Sequence, residues 1–278
     1  MALPPIDTAP LFAPMHDELM ALLRSLDDAD WGRPTVAGAW RVRDVAAHLL
    51  DTALRRVSAQ RDGHAPPPPR PITSNADLVA LIHALNASGV AFAARLSPRV
   101  LIALIDQAGA ALTELVVGLP PRGQAIYPVS WAGESESEHW MDIGREYTER
   151  WHHQQQLRDA VGRPLLLDAR WLVPLLDISV RALPYAYRDV NATAGTHLRL
   201  RVDDSADTTW MLTRTTDGWD IGTDHGRDAA HAEVSMTGDT AWRLFYNALP
   251  PDALRERVHV AGDDALAAPL LGTRSIVI

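Results

Sequence analysis

The chain has 278 residues, 47% of them hydrophobic, no cysteine and a formal net charge of −9. The length points to two domains, the acidic balance argues against nucleic acid as a partner, and the missing cysteine removes disulfides, thiolate ligands and any protein thiol nucleophile. No apolar run approaches the roughly 20 residues that cross a bilayer, and MALPPIDTAPLFAP lacks the basic region and apolar core of a signal peptide. The expectation is a cytoplasmic protein that meets a small molecule and no membrane.

The first two-thirds of the chain reads as helices. Met15, Leu19, Leu22, Leu23 and Leu26 recur at helical spacing, as do Val42, Val45, Leu49, Ala53 and Val57 in a segment ending near Gly63. HAPPPPRPITSN is an extended connection, because consecutive prolines lack the donors a helix needs. Ser74 or Asn75 caps a third helix running to about Leu96. Ser97 and Pro98 then open a fourth that passes Leu112 and Val117. YPVSWAGESES is a loop whose acidic run reads as solvated. It leads to a fifth helix over about 138–161, and a sixth covers about 168–188. Trp40, Trp140 and Trp151 are read as core.

Beyond Asn191 the pattern changes to alternation. THLRLRVDD, TTWMLTRT, DGWDIGTDHG, AEVSMTG and RVHVAG predict strands, with DTAWRLFYNAL and DDALAAPLLG as helices. The expected class is thus a helical bundle, residues 1–190, followed by a small α/β domain, residues 191–278.

The chemistry concentrates in REYTERWHHQQQLRD. On the fifth helix Asp142, Glu146, Glu149, His153 and Gln156 form one polar stripe, with Ile143, Tyr147, Trp151, Leu157 and Val161 beside it. Glu149 and His153 sit at i and i+4, where two side chains can converge on one ion. His48, in the otherwise apolar DVAAHLLDTAL, is the natural third ligand, since burying it without a partner costs desolvation. Such a set leaves a position open for water or substrate. A lone buried histidine is more often a core residue, and a lone Glu-x-x-x-His pair is commonly a surface ion pair. Glu149 and His152 also have the Glu-x-x-His spacing of di-iron bundles, with Glu136 and His139 as a second such pair on the same segment. Asp142, Glu146 and Gln156 either orient the ligands or form a hydrated helix face.

WRVRDVAAHLL from Trp40 and ERWHHQQQLRD from Glu149 resemble the DinB-like metal-dependent bundles, and within them the maleylpyruvate isomerase N-terminal (mycothiol-dependent) branch. AEVSMTGDTAWRLFYNAL, RVHVAGD and LLGTRSIVI resemble the sterol-carrier-like α/β domain that follows many such bundles. The resemblance implies a four-helix bundle and a divalent metal, zinc first and nickel or iron as alternatives, held by His48, Glu149 and His153. It also implies mycothiol or another low-molecular-weight thiol as cofactor, and S-transfer or cis-trans isomerisation of a small electrophile. Gln156 stands where many of these relatives carry an acidic residue, and Arg243 is the candidate for their substrate-handling C-terminal arginine. A metal-dependent hydrolase and a non-catalytic small-molecule binder are the competing readings.

Overall fold

The computed structural model describes residues 3–204, 206–226 and 229–277. Its helices begin where the sequence places their caps. The Ser74 and Ser97 side chains accept hydrogen bonds from the N–H groups of Asp77 and Val100, opening α3 (Asn75–Ala93) and α4 (Pro98–Gly118). Before them come α1 (Phe12–Arg24) and α2 (Val42–Asp62), the latter closed by Gly63 at φ 64°, a backbone glycine tolerates best. α5 (His139–Ala160) follows the loop. That loop is anchored rather than wholly solvated: Ser137 is buried and accepts a 2.8 Å hydrogen bond from the Val129 N–H.

By compactness the chain falls into two units. One comprises Thr8–Ile126 and Glu149–Leu165, so it holds α1 to α4 and the second half of α5. In it α4 packs on α1 and α2, and α3 packs on α2. Leu19, Leu23, Val45, Leu49, Leu101, Ile105 and Leu112 supply the core. Gly109 gives the His16 ring its place, since a Cβ there would stand 2.2 Å from the ring. Gln154 Nε2 donates to the Met15 carbonyl at 3.1 Å, and Arg158 pairs with Glu18 at 2.7 Å, tying α5 to α1.

α3 and α4 bear on one expectation, although neither is a continuous apolar run. At 19 and 21 residues with mean hydropathies of 1.5 and 1.8, both are long and apolar enough to cross a membrane. Their apolarity is spread over many alanines and few charges rather than one continuous run of large residues, so it escapes inspection by eye. Long apolar helices also form the cores of soluble proteins.

The other unit takes residues up to Asp7, Tyr127–Thr148 and Leu166–Val277. The predicted sixth helix is broken in it. α6 (Ala169–Ser179) gives way to a 3₁₀ turn at Val180–Ala182 and the short α7 (Leu183–Ala186), because Pro184 lacks the N–H that would continue the ladder. The strands are β1 (His197–Asp203), β2 (Thr208–Arg214), β3 (Trp219–Thr223), β4 (Ala232–Thr237) and β5 (His259–Gly262). They form one sheet in the order β3-β2-β1-β4-β5, in which only β1 and β4 are parallel. α8 (Gly238–Phe245) follows β4, α9 (Pro251–Arg255) precedes β5, and α10 (Asp264–Gly272) ends the fold. Leu198, Leu200, Val202, Val234, Trp242 and Phe245 are buried in this unit, as alternation in the strands predicts. A helical part followed by a small α/β part is the class expected.

Candidate metal centre

α2 starts at Arg41, whose N–H donates to the Asp44 carboxylate at 2.9 Å. That cap fixes the helix phase and sets His48 between Val45 and Leu49, facing inward and only 5% exposed. On α5 the four-residue spacing stacks Glu149 one turn below His153, which is 7% exposed. One donor atom from each of His48, Glu149 and His153 lies within 4.8 Å of the other two. The His48 and His153 rings meet edge to face, 4.6 Å between centroids, and Glu149 Oε2 is 3.3 Å from His153 Nε2.

Hydrogen bonding shows what the cluster lacks. His153 Nδ1 is 2.8 Å from Gln156 Oε1. An amide oxygen can only accept, so Nδ1 carries the proton, and in neutral imidazole Nε2 is then a bare lone pair. That lone pair faces a carboxylate oxygen at 3.3 Å, an arrangement of two acceptors that needs a cation or a second ring proton between them. His48 Nδ1 is likewise buried with no hydrogen-bond partner among the described residues, a costly state for a polar atom. The donors fit a divalent ion that takes imidazole and carboxylate ligands, such as zinc, iron or nickel.

Electrostatics bears on His48 and Glu149. Burial, then the neighbouring His153 ring, holds the His48 pKa well below its usual range against the pull of Glu149, so His48 is neutral near pH 7. Burial alone would raise the Glu149 pKa. The His153 hydrogen bond and the proximity of the His152, His153 and His48 rings outweigh it, leaving the carboxyl well below the usual range and ionised. The Glu149 side chain keeps 31% exposure, which leaves the cluster a path to solvent.

Of the other residues singled out, Gln156 is hydrogen-bonded to the cluster through His153 Nδ1. Asp142 and Glu146 are buried on the first half of α5, where Arg145 lies 2.8 and 3.6 Å from them. Neither belongs to the donor cluster. Arg243, on α8, binds Asp239 at 3.0 and 3.1 Å and lies over the Trp242 ring. His152 packs its ring 4.0 Å from that of His153 and stands outside the donor set. The Glu136–His139 pair of the di-iron alternative fails, because Glu136 is exposed and precedes α5. Trp40 corrects another expectation: it is half-buried rather than core, its ring 5.0 Å from His48 and 6.4 Å from His153. Trp140 too is only partly buried, while Trp151 is fully so. Arg55 passed unnoticed in the sequence. It lies two turns beyond His48 on α2, fastened by Asp51 at 2.8 Å and Asn86 at 2.9 Å; its spacing of seven from His48 was the available signal.

The profile of the mycothiol maleylpyruvate isomerase N-terminal domain matches residues 12–158, more than half of the chain. The chain belongs to that family. Solved structures of members agree with the fold. The crystal structure of the mycothiol-dependent maleylpyruvate isomerase superposes with a TM-score of 0.56 at 13% identity, covering 91% of each chain. A histidine-to-alanine variant of that enzyme gives 0.54 at the same identity and coverage. A ubiquinone-synthesis protein described as UbiJ-SCP2 reaches a TM-score of only 0.26, at 18% identity, over 35% of this chain and 81% of that one. No curated protein matches at a significant level.

Proposed function

We propose that this family member is a metal-dependent enzyme that uses mycothiol, or a related low-molecular-weight thiol, to isomerise a small electrophile or to transfer sulfur to it. The observation that carries the proposal is the convergence of one ligand atom each from His48, Glu149 and His153 within 4.8 Å of one another, on two nearly buried imidazoles and one carboxylate. A divalent ion bound there supplies Lewis acidity, which favours thiolate over thiol at neutral pH. His48 offers an unprotonated nitrogen because burial keeps it neutral, and Glu149 brings the one negative charge of the set. Gln156 locks the His153 tautomer that presents Nε2. Trp40 covers the two imidazoles from one side and keeps water off them. The sulfur must come from outside, since the chain has no cysteine. As thiolate it would add to a conjugated carbon, moving the π pair onto the conjugated carbonyl as an enolate; after rotation about the resulting single bond the enolate would re-form the double bond and expel the sulfur with its bonding pair as thiolate.

The test combines elemental analysis of protein purified without an affinity tag with turnover of activated alkenes and halides, with and without mycothiol. One equivalent of divalent metal per chain and thiol-dependent turnover are expected. Metal-loaded protein that hydrolyses esters or amides equally well without thiol would replace this reading with the hydrolase.

A further inference from the structure

α3 is apolar yet little of it is covered: Gly89 and Ala93 alone are fully buried among its residues. At about 100° per residue, Ala84, Ser88 and Ala91 fall on the face opposite the one through which Asn86 and Gly89 reach α2, with Leu81 and Phe92 on its flank. Phe92 is 48% exposed and Leu85, at the edge of this face, 38%. Within the helix Asp77 is the only charged residue, and Arg95 follows just past its end. Asp77 sits at the start of the same face and Arg95 at its finish.

We infer that this face of α3 binds the same face of a second copy of the chain, the two helices antiparallel about a two-fold axis. Sequence midpoints show the self-complementarity. Residue 86 lies midway between Asp77 and Arg95, between Ala80 and Phe92, and between Ala84 and Ser88. An antiparallel pair centred there sets each Asp77 beside the partner's Arg95, so opposite charges meet at both ends. It also brings Phe92, the largest exposed knob, to the level of the partner's Ala80 and onto the side of the partner's Leu81. A shallow groove lies there, lined by Arg70, Ile72, Asp77, Ala80, Leu81 and Ala84. Small residues at the centre permit close approach of the two backbones. A lipid surface fits the face less well, because the charges at its two ends are of opposite sign and its centre carries no basic residue to meet headgroups.

Sedimentation equilibrium of the full chain at micromolar concentration tests this, with light scattering as a second mass measurement. The parent is expected to have the mass of two chains. Phe92→Asp and Ala84→Arg, both at exposed positions, are expected to raise the dissociation constant by on the order of 30-fold or more. Arg95→Glu should loosen the dimer and Arg95→Lys should retain it. In this cysteine-free chain Ala84→Cys with Ser88→Cys should give a covalent dimer on mild oxidation, as the antiparallel register requires. Circular dichroism of each variant identifies any that fails to fold. A monomeric parent overturns the inference, as does a dimer indifferent to Phe92→Asp in a folded variant. A monomer that floats with phosphatidylcholine vesicles overturns it in favour of a membrane surface.

Discussion

Replacing Gln156 by leucine should weaken metal binding without removing any ligand. The Gln156 amide oxygen is the acceptor for His153 Nδ1, at 2.8 Å, and His153 is 7% exposed, so water cannot readily take its place. Leucine leaves a buried N–H without a partner, at about 1–3 kcal/mol. The ring can escape that cost by moving its proton to Nε2, but the nitrogen facing Glu149 is then no longer a ligand. Either way the bound state loses what the bond contributed, and 1.4 kcal/mol is a factor of ten. Zinc affinity should fall about 10- to 100-fold, the range seen when such supporting residues are removed. The assay is competition for zinc against a chromophoric chelator, with chemical denaturation of the metal-free proteins alongside. A folded Gln156→Leu protein with unchanged zinc affinity would refute the tautomer argument and leave Gln156 as packing.

His48→Ala should bind less than a tenth of the metal, and adding zinc should then no longer raise the melting temperature, as it should in the parent. Stability of the metal-free protein should fall on acidification. His48 and Glu149 both have folded pKa values below their unfolded ones, so the unfolded chain binds more protons. The His48 contribution is present above about pH 6.5 and fades below it, that of Glu149 fades below about pH 4.5, and urea titrations of His48→Ala should show the upper part of the slope flattened. Gly109→Ala should destabilise the helical unit by about 1–3 kcal/mol, since its Cβ would lie 2.2 Å from the His16 ring; a melting temperature equal to the parent's would show that His16 moves aside freely.

Much of this site is legible in the sequence because helical periodicity is local. The spacing of Glu149 and His153 already places them together, and a histidine inside VAAHLL is conspicuous by the cost of burying it. What periodicity cannot supply is the extent of a site along a helix. Asp142 and Glu146 share the polar stripe with Glu149 and His153, but α5 has 22 residues and thus spans about 33 Å. Its first half belongs to one compact unit and its second half to the other. Trp40 and Arg55 were hidden for a different reason: a tryptophan has no preference between core and site wall, and an arginine on a helix is ordinary until its partners are known. α3 shows the same limit, since its composition suggests a buried helix and only packing reveals how little of it is covered.

The neutral residue at position 156 has a consequence for the chemistry itself. With His48 and His153 neutral, Glu149 gives the donor set one negative charge, so a divalent ion leaves the site with a net positive charge to favour an incoming thiolate. A carboxylate at 156 would add a second negative charge a few ångströms away and make His153 a stronger donor. Gln156→Glu should therefore bind zinc more tightly than the parent and yet need a higher pH for half-maximal thiol-dependent turnover. A single through-ring interaction gives both effects, in opposite functional directions, which a merely structural role for residue 156 would not do. If Gln156→Glu tightens zinc binding while its pH profile stays with the parent's, the residue tunes the ion and not the sulfur.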